Sequence, residues 1–256
     1  MTMDLPRIPS FRLEGRRALV TGASRGIGLA AAAALAEAGA HVTLNARSAS
    51  ELDEVCAAIG ERGGQCTPLI CDVTDVVAFQ NAVEHLPAFD IFVNNAGMNR
   101  PGPFLDVTCE NFDAVMGLNV RAAFFAAQSV TRGMVKAGRG GTIINMSSQM
   151  GHVGGPGRTI YCTSKFAIEG FTKAAANDLA GFNIRVNSIC PTFIETPMTR
   201  PFFENKEFLA SVLTKIKLGR LGKVEDVMGA IVYLASDASS LVTGSSMMID
   251  GGWTAD

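Results

Sequence analysis

"RALVTGASRGIG", residues 17–28, runs from a short apolar stretch through three glycines into an alanine-rich segment that continues to Ala38. Alanine is the strongest helix former and Gly39 suits a helix stop, so a helix is expected from Ile27 onward. The unit is therefore strand, glycine turn, helix. The same alternation repeats outward from it. "HVTLNAR" (41–47) reads as a strand followed by a helix near 49–62, and "QCTPLICDV" (65–73) as a strand followed by a helix that ends before Pro87. "FDIFVNNAG" (89–97) precedes a long helical segment over about 111–137. "GTIINMSS" (141–148) precedes a helix holding Tyr161 and Lys165, and "IRVNSICP" (184–191) a mixed segment and a helix near 225–236. The last strand is "SMMIDGG" (246–252).

Strands that alternate with helices of ten or more residues imply βαβ units and a parallel sheet. These strands are mostly apolar rather than alternating, as expected when both faces are buried. No linker, repeat or low-complexity tract interrupts residues 1–256. The expectation is one doubly wound, Rossmann-type α/β domain with about seven parallel strands and helices on both faces.

Composition excludes several functions. Of the 256 residues, 48% are apolar, ample for a core, and the formal net charge of −2 offers no attraction to nucleic acid or an anionic membrane. Six cysteines without a C-x-x-C pair read as free thiols in a reducing compartment. Three scattered histidines (His41, His85, His152) fit no zinc spacing, so no metal is expected. The N-terminus lacks the apolar stretch of a secretory signal, and no run approaches the roughly 18 apolar residues that span a bilayer. A soluble, cytoplasmic protein is expected.

In a sheet of this kind, ligands sit beyond the carboxyl ends of the strands, near the point where strand order reverses. The candidates are Thr21-Gly22, Ala46-Arg47, Asp72, Asn94 to Gly97, Ser147-Ser148 and Pro191-Thr192. Gly22, Gly26 and Gly28 permit a tight turn, close approach of backbone to a pyrophosphate, and close packing of helix on strand. The helix start then offers unpaired N–H groups to phosphate. The spacing is G-x-x-x-G-x-G rather than G-x-G-x-x-G. The second strand ends in Ala46-Arg47, where an NAD site wants an acid. Arg47, with Arg25 in the glycine loop, suits a 2′-phosphate instead, so NADP is expected, with NAD possible.

Tyr161 and Lys165 stand four apart, neighbours on one helix face, in a chain with only two tyrosines. A free phenol titrates near 10 and is a poor base at neutral pH; an adjacent ammonium lowers that value. Tyr233, the other tyrosine, is followed at the same spacing by Asp237 and is expected to pack on a helix.

From about residue 13 onward the chain resembles the short-chain dehydrogenase/reductase family, in its branch of roughly 250 residues. The motifs are T21-G-A-S-R-G-I-G28, C71-D-V73, N94-N-A-G97, Asn119 in "GLNV", Ser148, Tyr161-x-x-x-Lys165 and "PTFIETP". The resemblance implies that Gly22, Ser24, Arg25, Gly26, Ile27 and Gly28 cradle the pyrophosphate. Asp72 and Val73 would touch the adenine, and Asn95, Ala96 and Gly97 the adenosine side. Pro191, Ile194 and Thr196 would hold the nicotinamide end. It further implies that Tyr161 exchanges the substrate's proton, Lys165 supports it and bonds the nicotinamide ribose, Ser148 holds the substrate oxygen, and Asn119 anchors a relay water. The family usually has Pro-Gly where this chain has Pro191-Thr192. The tail "MMIDGGWTAD" resembles those of bacterial sugar and polyol dehydrogenases, as well as many ketone reductases, and implies a homotetramer.

Substrate choice is expected in "QMGHVGGPGR" after Ser148 and in a lid at about 192–217 carrying Phe193, Met198, Phe202, Phe203 and Phe208. His152 and Arg158 are available for polar contacts. Three readings stand. The first is an NADP(H)-dependent oxidoreductase for a small secondary alcohol or ketone: a sugar, polyol or cyclic ketone. The second is a 3-oxoacyl carrier-protein reductase, which needs a basic patch for an acidic partner; "KAAANDLA" after Lys165 puts Asn177 and Asp178 there. The third is a nucleotide-binding regulator without chemistry, against which the set of Asn119, Ser148, Tyr161 and Lys165 argues.

Overall fold

The computed structural model describes residues 3–255. Seven strands form one all-parallel sheet in the order β3-β2-β1-β4-β5-β6-β7. They are β1 (Arg17–Thr21), β2 (His41–Ala46), β3 (Gln65–Ile70), β4 (Ile91–Asn94), β5 (Gly141–Met146), β6 (Ile184–Pro191) and β7 (Ser246–Ile249). Order reverses between β1 and β4, which register Ala18 on Ile91 and Val20 on Val93. The crevice at the ends of these two strands is where such a sheet takes a ligand. Pro68 lies in β3, the edge strand, where a missing N–H costs little.

Successive strand residues point to opposite faces, and each face has its own core. Ala18 and Val20 pack with α1 (Gly26–Glu37), α2 (Ala49–Glu61) and α9 (Glu225–Ala235), through Leu35, Leu52 and Ile231. Leu19 packs the other way, with α3 (Val76–Glu84), α5 (Ala123–Ala137) and α6 (Thr159–Leu179), through Phe79, Val130 and Ala176. Tyr233 lies on α9, against the first core and 6.3 Å from the ring of Phe11.

The structure adds detail to two expectations. The helical segment over 111–137 is not continuous: α4 (Cys109–Met116) passes into a π-helical turn, Gly117–Ala122, before α5. Such turns interrupt helices at functional sites, and this one carries the buried Asn119. The mixed segment after β6 holds two short helices, α7 (Arg200–Phe203) and α8 (Lys206–Leu213). Asn205 starts the second by accepting the N–H of Phe208 at 3.0 Å.

Candidate active site

A cavity of about 1020 Å³ runs along the carboxyl ends of the strands. Its pyrophosphate end is built by glycine. Gly22 and Gly26 have φ of +65° and +58°, the left-handed region that glycine adopts without strain. A Cβ on Gly28 would lie 2.1 Å from the Gly22 oxygen and 2.5 Å from Asn95 Nδ2. The strand end is held to its neighbour by Asn95, whose Nδ2 donates to Thr21 O at 2.9 Å while its N–H donates to Thr21 Oγ1 at 3.0 Å. No side chain caps the start of α1, so its first N–H groups remain available to an anion. A dinucleotide pyrophosphate fits these features.

Every residue expected to hold the dinucleotide, from Gly22 to Thr196, lines this cavity. At the adenosine end, exposed Arg47 lies 4.0 Å from Asp72. Burial pushes the Asp72 carboxyl up, but hydrogen bonds from Thr74 and the charge of Arg47 hold it below its ordinary value. Sequence reasoning missed Ser48, Glu51 and Thr74 on the same wall. Ser48 followed three residues on by Glu51 is a helix-start signal that would have placed the first two; Ser48 Oγ accepts the Glu51 N–H at 3.3 Å.

At the other end, Ser148 arrives just after β5, and Tyr161 and Lys165 from the first turns of α6. Ser148 Oγ donates to Gln149 Oε1 at 2.8 Å and accepts the Met150 N–H at 3.1 Å. Lys165 is buried, and its Nζ donates to Met146 O at 2.8 Å, 5.5 Å from the centre of the Tyr161 ring. Burial lowers the Lys165 pKa to about 8, against the opposing charges of Cys190 and Glu169. The expectation that this ammonium makes the phenol more acidic is not met. Burial raises Tyr161 to about 12, and its hydrogen bond with Ser148 and the charge of Arg158 recover only part of that. Desolvation outweighs both.

Asn119 does not reach the cavity wall. It lies behind Gly97, its Oδ1 accepting the Met98 N–H at 2.8 Å and its Nδ2 donating to Met98 O at 2.9 Å and Ser164 Oγ at 3.0 Å. It thereby ties the loop after β4 to the helix that carries Tyr161 and Lys165. His152, considered for substrate contact, turns instead to Glu169, one turn of α6 beyond Lys165. Its Nε2 lies 3.4 Å from both Glu169 Oε2 and Cys190 Sγ, the one group of potential metal ligands among the described residues. The Glu169 carboxylate already accepts from Ser188, Ser246 and Cys190.

The segment over 192–217 carries a cluster of aromatic rings that reaches Trp253. Phe193 meets Phe203, Phe208 and Trp253 at centroid distances of 6.0, 5.6 and 5.8 Å. Arg158 stacks over Phe202 at 4.7 Å.

A family model described as Enoyl-(Acyl carrier protein) reductase matches residues 22–254. Gluconate 5-dehydrogenase of Gluconobacter oxydans (strain 621H) is 39% identical over 248 residues, 95% of this chain and 96% of that protein. The 3-oxoacyl-acyl-carrier-protein reductase of Thermotoga maritima is 42% identical over 246 residues, 94% of this chain and 99% of that protein. Among solved structures, a gluconate 5-dehydrogenase from Burkholderia cenocepacia J2315, in complex with NADP and tartrate, superposes with a TM-score of 0.94 at 34% identity. That match covers 97% of this chain and 99% of the other. The chain belongs to the short-chain dehydrogenase/reductase family, and it is an oxidoreductase acting at alcohol and carbonyl carbons.

Proposed function

We propose that this protein interconverts a secondary alcohol and a ketone on a small polyhydroxylated substrate, a sugar or polyol derivative, with NADP(H). One observation carries the reading: Ser148, Tyr161 and Lys165 share one wall of a cavity whose other end is a glycine cradle. The gluconate 5-dehydrogenase relatives support the substrate class, and the NADP in the Burkholderia structure supports the cofactor. Arg47, Arg25 and the Ser48 hydroxyl at the start of α2 suit a 2′-phosphate.

When bound, the dinucleotide supplies the hydride for reduction or takes it in oxidation. The residues handle the proton. A phenol held near 12 is protonated at neutral pH, the state that reduction needs. As the carbonyl oxygen gains negative charge, Tyr161 gives it the phenolic proton. Ser148 holds the same oxygen by exchanging its bond to Gln149. Lys165, mostly cationic at pH 7, stabilises the phenolate that results. Asn119 acts by position, holding Met98 and Ser164 in register. The segment over 192–217 serves as the lid, with Phe193 as its contact to the body.

The T. maritima relative favours a second reading, reduction of an acyl-carrier-protein substrate. Asn177 and Asp178 on α6 supply no positive charge for an acidic carrier to meet. A homotetramer fits the exposed Phe112, Phe124 and Phe166 on α4, α5 and α6, and sedimentation velocity tests it. Six unpaired cysteines and the lack, among the described residues, of a helix able to cross a membrane fit a cytoplasmic protein.

The deciding experiment is a screen of NADPH oxidation with ketoses, keto acids and cyclic ketones, and of NADP+ reduction with polyols and aldonates. Turnover within the sugar-derived set is the expected result. Tight cofactor binding without turnover on any member would make the protein a binder rather than an enzyme.

A further inference from the structure

Beyond Ser148 and Tyr161 lies a second cavity of about 70 Å³, between the loop after β4, the start of α6 and the lid. Buried side-chain polar atoms without a hydrogen-bond partner are rare in folded proteins. Here three of them, Arg158 Nη1, Asn99 Oδ1 and Thr192 Oγ1, belong to residues lining this one cavity.

Arg158 is the decisive member. It is 7% exposed, and no carboxylate among the described residues pairs with it. An isolated buried charge is expensive unless something neutralises it. Its Cζ lies over the Phe202 ring at 4.7 Å from the centroid and 6.0 Å from that of Phe208, so aromatic rings cover the guanidinium without accepting its N–H groups. Stacking uses the face and leaves the edge, where the N–H donors are. A guanidinium edge matches a carboxylate with two parallel hydrogen bonds. Its charge also acts on the Tyr161 phenol, which places it beside the reacting centre. Thr192 adds a hydroxyl and Asn99 a carbonyl acceptor, both suited to alcohol groups. A role for Arg158 as a lid clamp alone leaves all three atoms unsatisfied.

We infer that Arg158 anchors a carboxylate of the substrate, with Thr192 and Asn99 bonding hydroxyls along its chain. The substrate is then a polyhydroxy acid or the corresponding keto acid, not a neutral sugar. This rests on the reading above that Ser148 and Tyr161 hold the reacting oxygen.

The test is calorimetric binding to the NADP+-saturated enzyme of gluconate against sorbitol, and of tartrate against threitol, each pair sharing a carbon skeleton. A charge-assisted pair is worth roughly a 10- to 100-fold advantage for the acid in the wild type. Arg158→Gln is expected to bring that advantage to within about twofold with NADP+ affinity retained, and Arg158→Lys to keep part of it. Equal affinity for acid and alditol, no binding of any of the four, or an acid preference that survives in Arg158→Gln overturns the inference. If Arg158→Gln does not fold, the ratios in wild type and Arg158→Lys decide. Turnover run alongside separates the two readings. Oxidation of the alditols with the acids inert removes this inference and leaves the proposed reaction. An acid preference in binding with no turnover of any compound removes the reaction and leaves Arg158 as an anion site.

Discussion

Replacing Lys165 with methionine removes a buried ammonium while keeping most of the apolar length of the side chain. The residue is 6% exposed, and its one hydrogen bond goes to Met146 O at 2.8 Å. Burial brings its pKa from 10.5 to about 8, so between those values the unfolded chain holds a proton that the folded chain does not. Stability therefore rises with pH across that window, and below about 8 the wild type bears the whole penalty. The gap corresponds to about 3 kcal/mol. Leaving the Met146 carbonyl unpaired returns about 1 kcal/mol of it. Lys165→Met is thus expected to be about 2 kcal/mol more stable than wild type at pH 7, with most of the gain gone by about pH 10. Urea unfolding of both proteins by circular dichroism, at one protein concentration from neutral to alkaline pH, measures the difference, in which titrating groups remote from Lys165 cancel. Turnover should be lost in the same variant. A variant less stable than wild type at pH 7, or a difference that does not change with pH, would refute the reasoning. It would mean that Glu169 stabilises the ammonium more than burial penalises it.

Three further outcomes are expected. Tyr161→Phe should lower kcat by about 100-fold or more while leaving NADPH affinity, read by fluorescence titration, within about twofold; retained turnover would remove the phenol from the reaction. Arg47→Ala should weaken NADPH about tenfold and NADH little, the effect being modest because the side chain is mostly exposed; equal losses would mean the guanidinium does not meet the 2′-phosphate. Gly28→Ala drives a methyl to 2.1 Å from the Gly22 oxygen, so it should cost about 2 kcal/mol or more and weaken both cofactors. A wild-type melting temperature for that variant would show that the loop is less closely packed than the geometry indicates.

What the chain declares in advance is what depends on near neighbours. β6 spans Ile184–Pro191, the limits expected of it, although Arg185, Asn187 and Ser188 stand among its apolar residues. β3 stops at Ile70, short of the expected Val73, because Cys71 to Val73 leave the sheet to carry Asp72 toward the cavity. β4 stops at Asn94 for a related reason: Asn95 turns its amide to Thr21 and Gly22 on the neighbouring strand. These are tertiary demands that override local propensity, and they fall where the ligand crevice is.

The same division separates the two halves of the site. Much of the cofactor half follows from glycine positions and strand ends, while Val73, Ile194 and Thr196 come only with the family resemblance. The spacing of Tyr161 and Lys165 says that they are neighbours, yet not that both are buried, and burial decides the direction in which each titrates. The substrate half is less legible still. Asn99, Arg158 and Thr192 come from three separate loops, and each alone reads as an ordinary surface residue. Only the folded chain brings an unpaired guanidinium edge, a hydroxyl and an amide oxygen into one small cavity. Thr192 was visible as the departure from Pro-Gly, but its meaning depends on Arg158 standing across from it. Substrate choice in this chain is thus carried by pairings between loops that no stretch of sequence contains, whereas the glycine cradle follows from the strand ends.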